Sequence, residues 1–281
     1  MGHEKEIRVL DLFSGIGGFS LGFRRAGGFR TVAYCEIEPY CQEVLRARML
    51  DGSLDTAPIC RDIRVLDGRA LTGVVDLVCG GFPCQDISAA GLKAGIDGGR
   101  SRLWLDMGRI IREIRPRFVF VENVAALLAR GLERVLGDLA AIGYDAEWEC
   151  IPASAVGAHH VRDRVWIVAY PKGFRSELRS AAAGRAGRPS GGGNALADAK
   201  CQRCEEMERL QRGGAAGKRQ PSARRECGVF CGRVSGRWEP EPNVGRVAHG
   251  VPHRVERLSA LGNAVVPQVV EWIGRRIIEI A

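Results

Sequence analysis

Long apolar runs are missing from this chain. No window approaches the roughly 18 consecutive apolar residues of a membrane-spanning helix, so a transmembrane segment is not expected. The opening stretch MGHEKEIRVLDLF lacks an apolar core of about 7 to 15 residues ahead of a cleavage site, and export is not expected either. Without a secretory signal, the ten cysteines read as reduced thiols of a cytoplasm, mostly small hydrophobes scattered through strands. No segment repeats at a fixed period, which sets aside solenoids and propellers. What is there, 46% hydrophobic and 26% charged residues over 281 positions, suffices for one sizeable core and a smaller lobe.

One region is poor in both aromatic and acidic residues. Residues 173–237 have only Phe174 and Phe230 as aromatics and set 14 Lys and Arg against 6 Asp and Glu, which accounts for the whole net charge of +8. Stretches such as GRAGRPSGGGN and RGGAAGKRQPSARR cannot bury much core of their own. They read either as a solvated linker or as a surface for a polyanion, because Lys and Arg gain affinity by releasing counterions from phosphates. The same region holds Cys201 and Cys204 as C-x2-C and Cys227 and Cys231 as C-x3-C, a spacing compatible with four zinc thiolates. Nothing else around them is finger-like, so free thiols are the expectation and no metal is assigned.

Elsewhere strands and helices alternate. IRVLDLF, TVAYCEI, VDLVCGGF, RFVFVENV, YDAEWECI and RVWIVAY read as strands, and RLWLDMGRIIREI and LERVLGDLAAIG have helical spacing. This pattern predicts an α/β fold, a doubly wound, mainly parallel sheet covered by helices on both faces. The last two strands are joined too closely for a helical crossover and are expected to pair antiparallel at an edge. VPQVVEWIGRRIIEI reads as a helix that begins at a proline and returns to the first lobe after the basic insert.

Such sheets bind ligands beyond the carboxyl ends of their strands, where strand order reverses. The first strand runs into DLFSGIGGFSLG, whose Gly15, Gly17 and Gly18 allow a tight turn and close approach of a ligand. A dinucleotide, a nucleotide or S-adenosylmethionine would suit it. Glu36 ends the next strand about 20 residues on, where a carboxylate can accept from ribose hydroxyls, and Asp62 follows the short strand signal ICRDIRVL, placed to meet an adenine amino group. Cys84 lies just past VDLVCGGFP, Glu122 and Asn123 end another strand, and Arg162 and Arg164 lead into the last one. A thiol, an acid and guanidinium groups thus converge on one rim.

Together these motifs closely resemble the cytosine-C5 DNA methyltransferase family. The resemblance rests on DLFSGIGGFSLG, EIEPYCQEV, RDI, GGFPCQDIS, ENV, RDRVWIV and LGNAVVPQ, in the order that family has them. It implies a Rossmann-like, S-adenosylmethionine-dependent methyltransferase fold with a small, irregular target-recognition region. It implies that Cys84 is the nucleophile, that Glu122 assists at the cytosine ring and that Arg164 orients the base, with Arg162 in the same catalytic set. It implies S-adenosylmethionine contacts from Phe13, Gly15, Gly18, Glu36, Asp62, Pro83 and Leu103, with Ile37 where a larger adenine-packing side chain is usual and Asn263 supporting the site. His160 stands where the family usually has Gln. The implied partner is double-stranded DNA, with a cognate restriction endonuclease as a further candidate, in the cytoplasm of a bacterial or phage-infected cell.

The resemblance divides the chain into a catalytic lobe of residues 1–172, a recognition region at 173–255 and a closing segment, 256–281, that completes the lobe. Base reading is expected around Trp238 to His253, where larger residues return. Rival readings fit less. An amino-group methyltransferase would carry an Asp or Asn-Pro-Pro-aromatic signature, and a tRNA-methylating relative a Cys-Phe-Thr signature; both are missing. A nicotinamide oxidoreductase would leave Cys84, Glu122 and Arg164 without a task.

Overall fold

The computed structural model describes residues 6–83, 102–174 and 252–281. All of them belong to one compact unit, which the chain rejoins after the basic insert. Seven strands, β1 (Ile7–Leu12), β2 (Phe29–Cys35), β3 (Ile59–Cys60), β4 (Leu77–Gly80), β5 (Phe118–Val124), β6 (Tyr144–Pro152) and β7 (Asp163–Pro171), form one sheet in the order β3-β2-β1-β4-β5-β7-β6. The first five are parallel, and β7 runs antiparallel to both neighbours. The expected antiparallel pairing of the last two strands is present. Their order was not foreseen: β7 inserts beside β5 and leaves β6 at the edge.

The central strands are buried on both faces, so their alternate residues feed two cores. Val9, Leu77, Phe118, Phe120 and Trp166 face helices α1 (Gly18–Ala26) and α7 (Pro267–Ile280), which contribute Phe19, Phe23, Val269, Val270, Ile273 and Ile277. Leu10, Leu12, Val78, Val119, Val121 and Ile167 face α3 (Arg102–Ile114) and α5 (Leu132–Ala141). On α3 the apolar stripe Trp104, Met107, Ile110, Ile111 and Ile114 follows the helical repeat, and each such burial contributes about 1.5–3 kcal/mol. Three further helices, α2 (Pro39–Leu50), α4 (Leu127–Arg130) and α6 (Arg254–Asn263), border the carboxyl ends of the strands.

The return of the chain is set by glycine. A Cβ at Gly18 would fall 2.7 Å from Val265 Cγ2, and one at Gly22 would fall 2.6 Å from the Pro267 carbonyl oxygen. Only glycine lets α7 lie this close to α1. The closing segment is therefore seated on the helix that starts at the glycine-rich turn.

Candidate active site

Strand order reverses between β1 and β4, whose ends pair as Leu12 with Gly80. The turn after β1 is a left-handed path: Phe13 has φ 52°, Gly15 53° and Gly17 84°. Ser14 locks it, its hydroxyl donating to the Asp11 carbonyl at 2.6 Å and accepting from the Cys35 N–H at 3.2 Å. Glu36 is buried at the end of β2, where its carboxylate accepts from the Gly15 N–H at 2.6 Å and the Glu38 N–H at 2.8 Å. The carboxylate is thereby aimed at the turn rather than at solvent. Beneath it Asp11 is fully buried; Ser20 donates to it at 2.6 Å and is itself held by Thr31 at 3.0 Å. Burial is the main reason the Asp11 carboxyl is pushed up to about 7, against the opposing hydrogen bond from Ser20.

Beyond β2 and β3 a cleft of about 420 Å³ is lined by Ile37, Pro39, Gln42, Glu43, Arg46, Arg61 and Asp62. Ile37 is 57% exposed there, an apolar side chain open to the cleft. Asp62 is held by Arg64 through bonds to both carboxylate oxygens, the shortest 2.6 Å, and these hydrogen bonds keep its carboxyl below the usual range. Both acids read from the sequence thus stand at the predicted strand ends. Neither is a loose helix cap.

Two glycines shape the loop that leads from β4 towards Cys84. A Cβ at Gly80 would fall 2.8 Å from the Leu12 carbonyl oxygen, and one at Gly81 would fall 2.8 Å from Glu122 Oε2. The Glu122 carboxyl therefore rests against the backbone of the loop that leads to Cys84, itself outside the described residues. Glu122 is buried and paired with Arg164, Nε to Oε1 2.8 Å. Arg164 reaches it diagonally across the antiparallel pair, since Val124 is its register partner. Burial pushes the Glu122 carboxyl up, and the charges of Arg164 and Arg162 pull against that rise. Pro83 is exposed at the end of the described loop, and Leu103 packs half-buried on the core at the start of α3.

Asn123 is the residue whose role the sequence reading missed. Its Nδ2 donates to the Phe82 carbonyl at 3.2 Å while its Oδ1 accepts from the Val124 N–H at 2.8 Å, which ties the loop before Cys84 to β5. Its place directly after Glu122, in ENV, was the available signal. Arg162 has φ 36° and donates from Nη2 to the Gly262 and Ala264 carbonyls at 2.8 and 2.6 Å. Asn263, between those carbonyls, ends α6 with its side chain exposed. The zinc-spaced cysteines Cys201, Cys204, Cys227 and Cys231, and nearly all of the Trp238 to His253 stretch, lie outside the described residues.

Comparison with known proteins agrees with this geometry. Residues 7–204 match the model of the C-5 cytosine-specific DNA methylase family. The type II methyltransferase M.CviJI of Paramecium bursaria Chlorella virus IL3A is 34% identical over 171 residues, 60% of this chain and 45% of that one. M.AquIA of Picosynechococcus is 31% identical over 178 residues, 58% of this chain and 71% of that one. The chain spans about half the length of most of the curated relatives it matches. In fold it is similar to the DNMT2 of Spodoptera frugiperda (TM-score 0.50, 20% identity, 59% of this chain and 50% of that one). The Entamoeba histolytica methyltransferase EhMeth is similar too (TM-score 0.51, 16% identity, 61% and 55%). The family match covers well over half of the sequence and takes in β1 to β7 with the turn, the loop and the acid–guanidinium pair between them; the chain belongs to the C-5 cytosine-specific DNA methylase family.

Proposed function

We propose that this chain methylates carbon-5 of cytosine in double-stranded DNA with S-adenosylmethionine as methyl donor. The observation that carries the reading is the buried Glu122–Arg164 pair pressed against Gly81, three residues before Cys84. An acid with its pKa raised by burial and a fixed guanidinium, beside the loop that runs on in sequence to Cys84, suit the addition of a nucleophile to a ring and the stabilisation of the product.

The residues present fit the cofactor. A Cβ on Gly15 would meet nothing within 4 Å, so the turn leaves open space above its backbone. Glu36 supplies acceptors for ribose hydroxyls, and Ile37 with Asp62 offers an apolar face and an acceptor for adenine. When bound, S-adenosylmethionine supplies an electrophilic methyl group.

This chain's own residues do the remaining work. Carbon-5 is a weak nucleophile, so the Cys84 thiolate adds to carbon-6 while Glu122 delivers a proton to ring N3, which leaves carbon-5 electron-rich. Arg164 holds Glu122 in place and orients the ring. Once carbon-5 carries the methyl group, with the donor released as the thioether S-adenosylhomocysteine, a base removes the carbon-5 proton. The electron pair of that C–H bond restores the carbon-5–carbon-6 double bond and expels the Cys84 thiolate, and N3 returns its proton to Glu122. Carbon-6 is inaccessible in a stacked duplex, so the cytosine must be extruded at a cost of a few kcal/mol.

The domain reading follows: a catalytic lobe at 1–172, target recognition at 173–255, and completion of the lobe by 256–281. A cognate restriction endonuclease and a bacterial or phage-infected cytoplasm belong to the same proposal. Among the described residues no helix is long and apolar enough to cross a membrane. The test is incubation with S-adenosylmethionine and duplex DNA carrying 5-fluorocytosine, whose fluorine blocks the final elimination. A covalent adduct mapped to Cys84 by peptide mass spectrometry is expected; no adduct, with unmodified DNA also unmethylated, would overturn the reading.

A further inference from the structure

Arg162 has its guanidinium committed elsewhere than at the base. Nη2 reaches the Gly262 carbonyl at 2.8 Å and the Ala264 carbonyl at 2.6 Å, so it grips the backbone on both sides of Asn263. To do so Arg162 holds a left-handed backbone, φ 36°, which is strained for a residue with a Cβ and persists only where the surroundings require it. The gripped residues come 100 and 102 positions later, beyond the basic insert.

The same short segment is pinned at its other end. Val265 sits on Gly18 and Pro267 and Val270 sit on Gly22, on the helix that begins at the glycine-rich turn. Arg162 also feels the charges of Glu122 and Arg164. Residues 262–270 therefore form a bridge, with one end on α1 and the other held beside the acid–guanidinium pair.

We infer that Arg162 is a positioning residue that couples the cofactor turn to the catalytic rim through the closing segment, and that its guanidinium does not touch the cytosine. The consequence for the cofactor half rests on the reading of the Gly15–Glu36 turn as the S-adenosylmethionine site. Loss of the grip frees two carbonyls, loosens the backbone around Asn263 and lets the support of α1 relax.

The test uses residues 1–281 without DNA. Arg162→Gly removes the guanidinium while suiting the left-handed backbone, and Arg162→Lys keeps the charge but can reach only one carbonyl well. Two quantities are measured below each variant's melting transition: backbone amide exchange at residues 262–266, and S-adenosylmethionine affinity by calorimetry. Expected are faster exchange in both variants and an affinity loss of about tenfold for Arg162→Gly, smaller for Arg162→Lys. Unchanged exchange and unchanged affinity in both variants would overturn the inference. If the wild type itself bound no S-adenosylmethionine, the functional reading would fail, while the exchange data would still decide whether Arg162 is a strut. Should Arg162→Gly not fold, Arg162→Lys alone decides by the same two measurements.

Discussion

Two of the buried carboxyl groups near the rim have pKa values raised by burial, Asp11 beside the glycine-rich turn and Glu122 beside the loop that leads to Cys84, and the chain accommodates them differently. Asp11 is met by hydroxyls, Ser20 nine residues away and Thr31 behind it. Glu122 is met by the Arg164 guanidinium across an antiparallel strand pair and by the space that Gly81 leaves open. The side proposed for the cofactor is thus assembled from the first two strands and their turns, through backbone N–H groups at Glu36 and hydroxyls at Asp11. The side proposed for catalysis joins segments that lie much further apart in sequence. A site made of backbone should tolerate changes elsewhere and lose affinity by steps. A site made of convergent side chains should lose turnover sharply when any one is changed, with cofactor binding spared.

The sharpest test of that division is Cys84→Ser. A hydroxyl of far higher pKa replaces a polarizable thiol, so methyl transfer should fall by about 10⁴ or more while S-adenosylmethionine binds as before. Turnover and calorimetry on the same preparation measure both halves, and near-normal turnover would remove the mechanism. Glu122→Gln comes next: it keeps shape but cannot deliver an acidic proton, and turnover should drop by about 10² to 10⁴. The raised pKa of Glu122 also sets a direction with pH, since the proposed mechanism uses its neutral form as the proton donor. Wild-type turnover should decline on the alkaline side as that form is lost, and Glu122→Gln should lack the decline. If Glu122→Gln lost cofactor binding as fully as activity, the two sides would not be separable at all.

The same contrast explains what the sequence disclosed. The turn DLFSGIGGFSLG, Glu36 and Asp62 were legible because strand-to-helix punctuation and a following acid are local signals, and the alternating pattern pointed to the doubly wound sheet. The insertion of β7 beside β5 was hidden, because strand order is decided by non-local pairing that the tight β6–β7 connection does not reveal. Glu122 and Arg164 were visible as motif residues, yet their diagonal pairing and the clearance at Gly81 depend on register. Asn123 was visible in ENV, but its tie to the Phe82 carbonyl, like the grip of Arg162 on 262–264, was illegible for a plainer reason. Their partners are backbone carbonyls, which carry no sequence signature. Asp11, an acid inside a buried strand, stood in the first motif but drew no notice beside the glycines that follow it.

On the cofactor side Glu36→Gln should act by a step rather than a collapse. The uncharged side chain still offers one oxygen, but it cannot accept charge-assisted bonds from both the Gly15 and Glu38 N–H groups, each worth about 1.5–3 kcal/mol. S-adenosylmethionine affinity should weaken by about 10- to 100-fold, with turnover at saturating cofactor close to wild type. A fall in saturated turnover as deep as that of Glu122→Gln would break the distinction between the two sides.

The last prediction concerns Asp11, where the effect falls on folding and not on chemistry. Its carboxyl is raised to about 7 from 3.8, chiefly by burial, and its Oδ1 meets no nitrogen or oxygen donor. The neighbouring Cys79 thiol is pushed well up as well, by burial first and by the charge of Asp11 second. A carboxyl whose folded pKa lies above its unfolded value contributes stability that is fully present below about pH 4 and is lost as pH rises through about 7. Asp11→Asn retains an oxygen for Ser20 and removes the titration, so the difference between the two proteins isolates this one group from every other acid. Relative to Asp11→Asn, the wild type should lose about 1.4 kcal/mol per pH unit between pH 4 and 7, at most about 4 kcal/mol in all, and should change no further above pH 7. Urea unfolding of both proteins at half-unit steps measures it. A difference independent of pH would show that Asp11 is no more costly to ionise in the folded chain than in the unfolded one, and the floor of the cofactor turn would then need a donor at Oδ1 that these contacts do not supply.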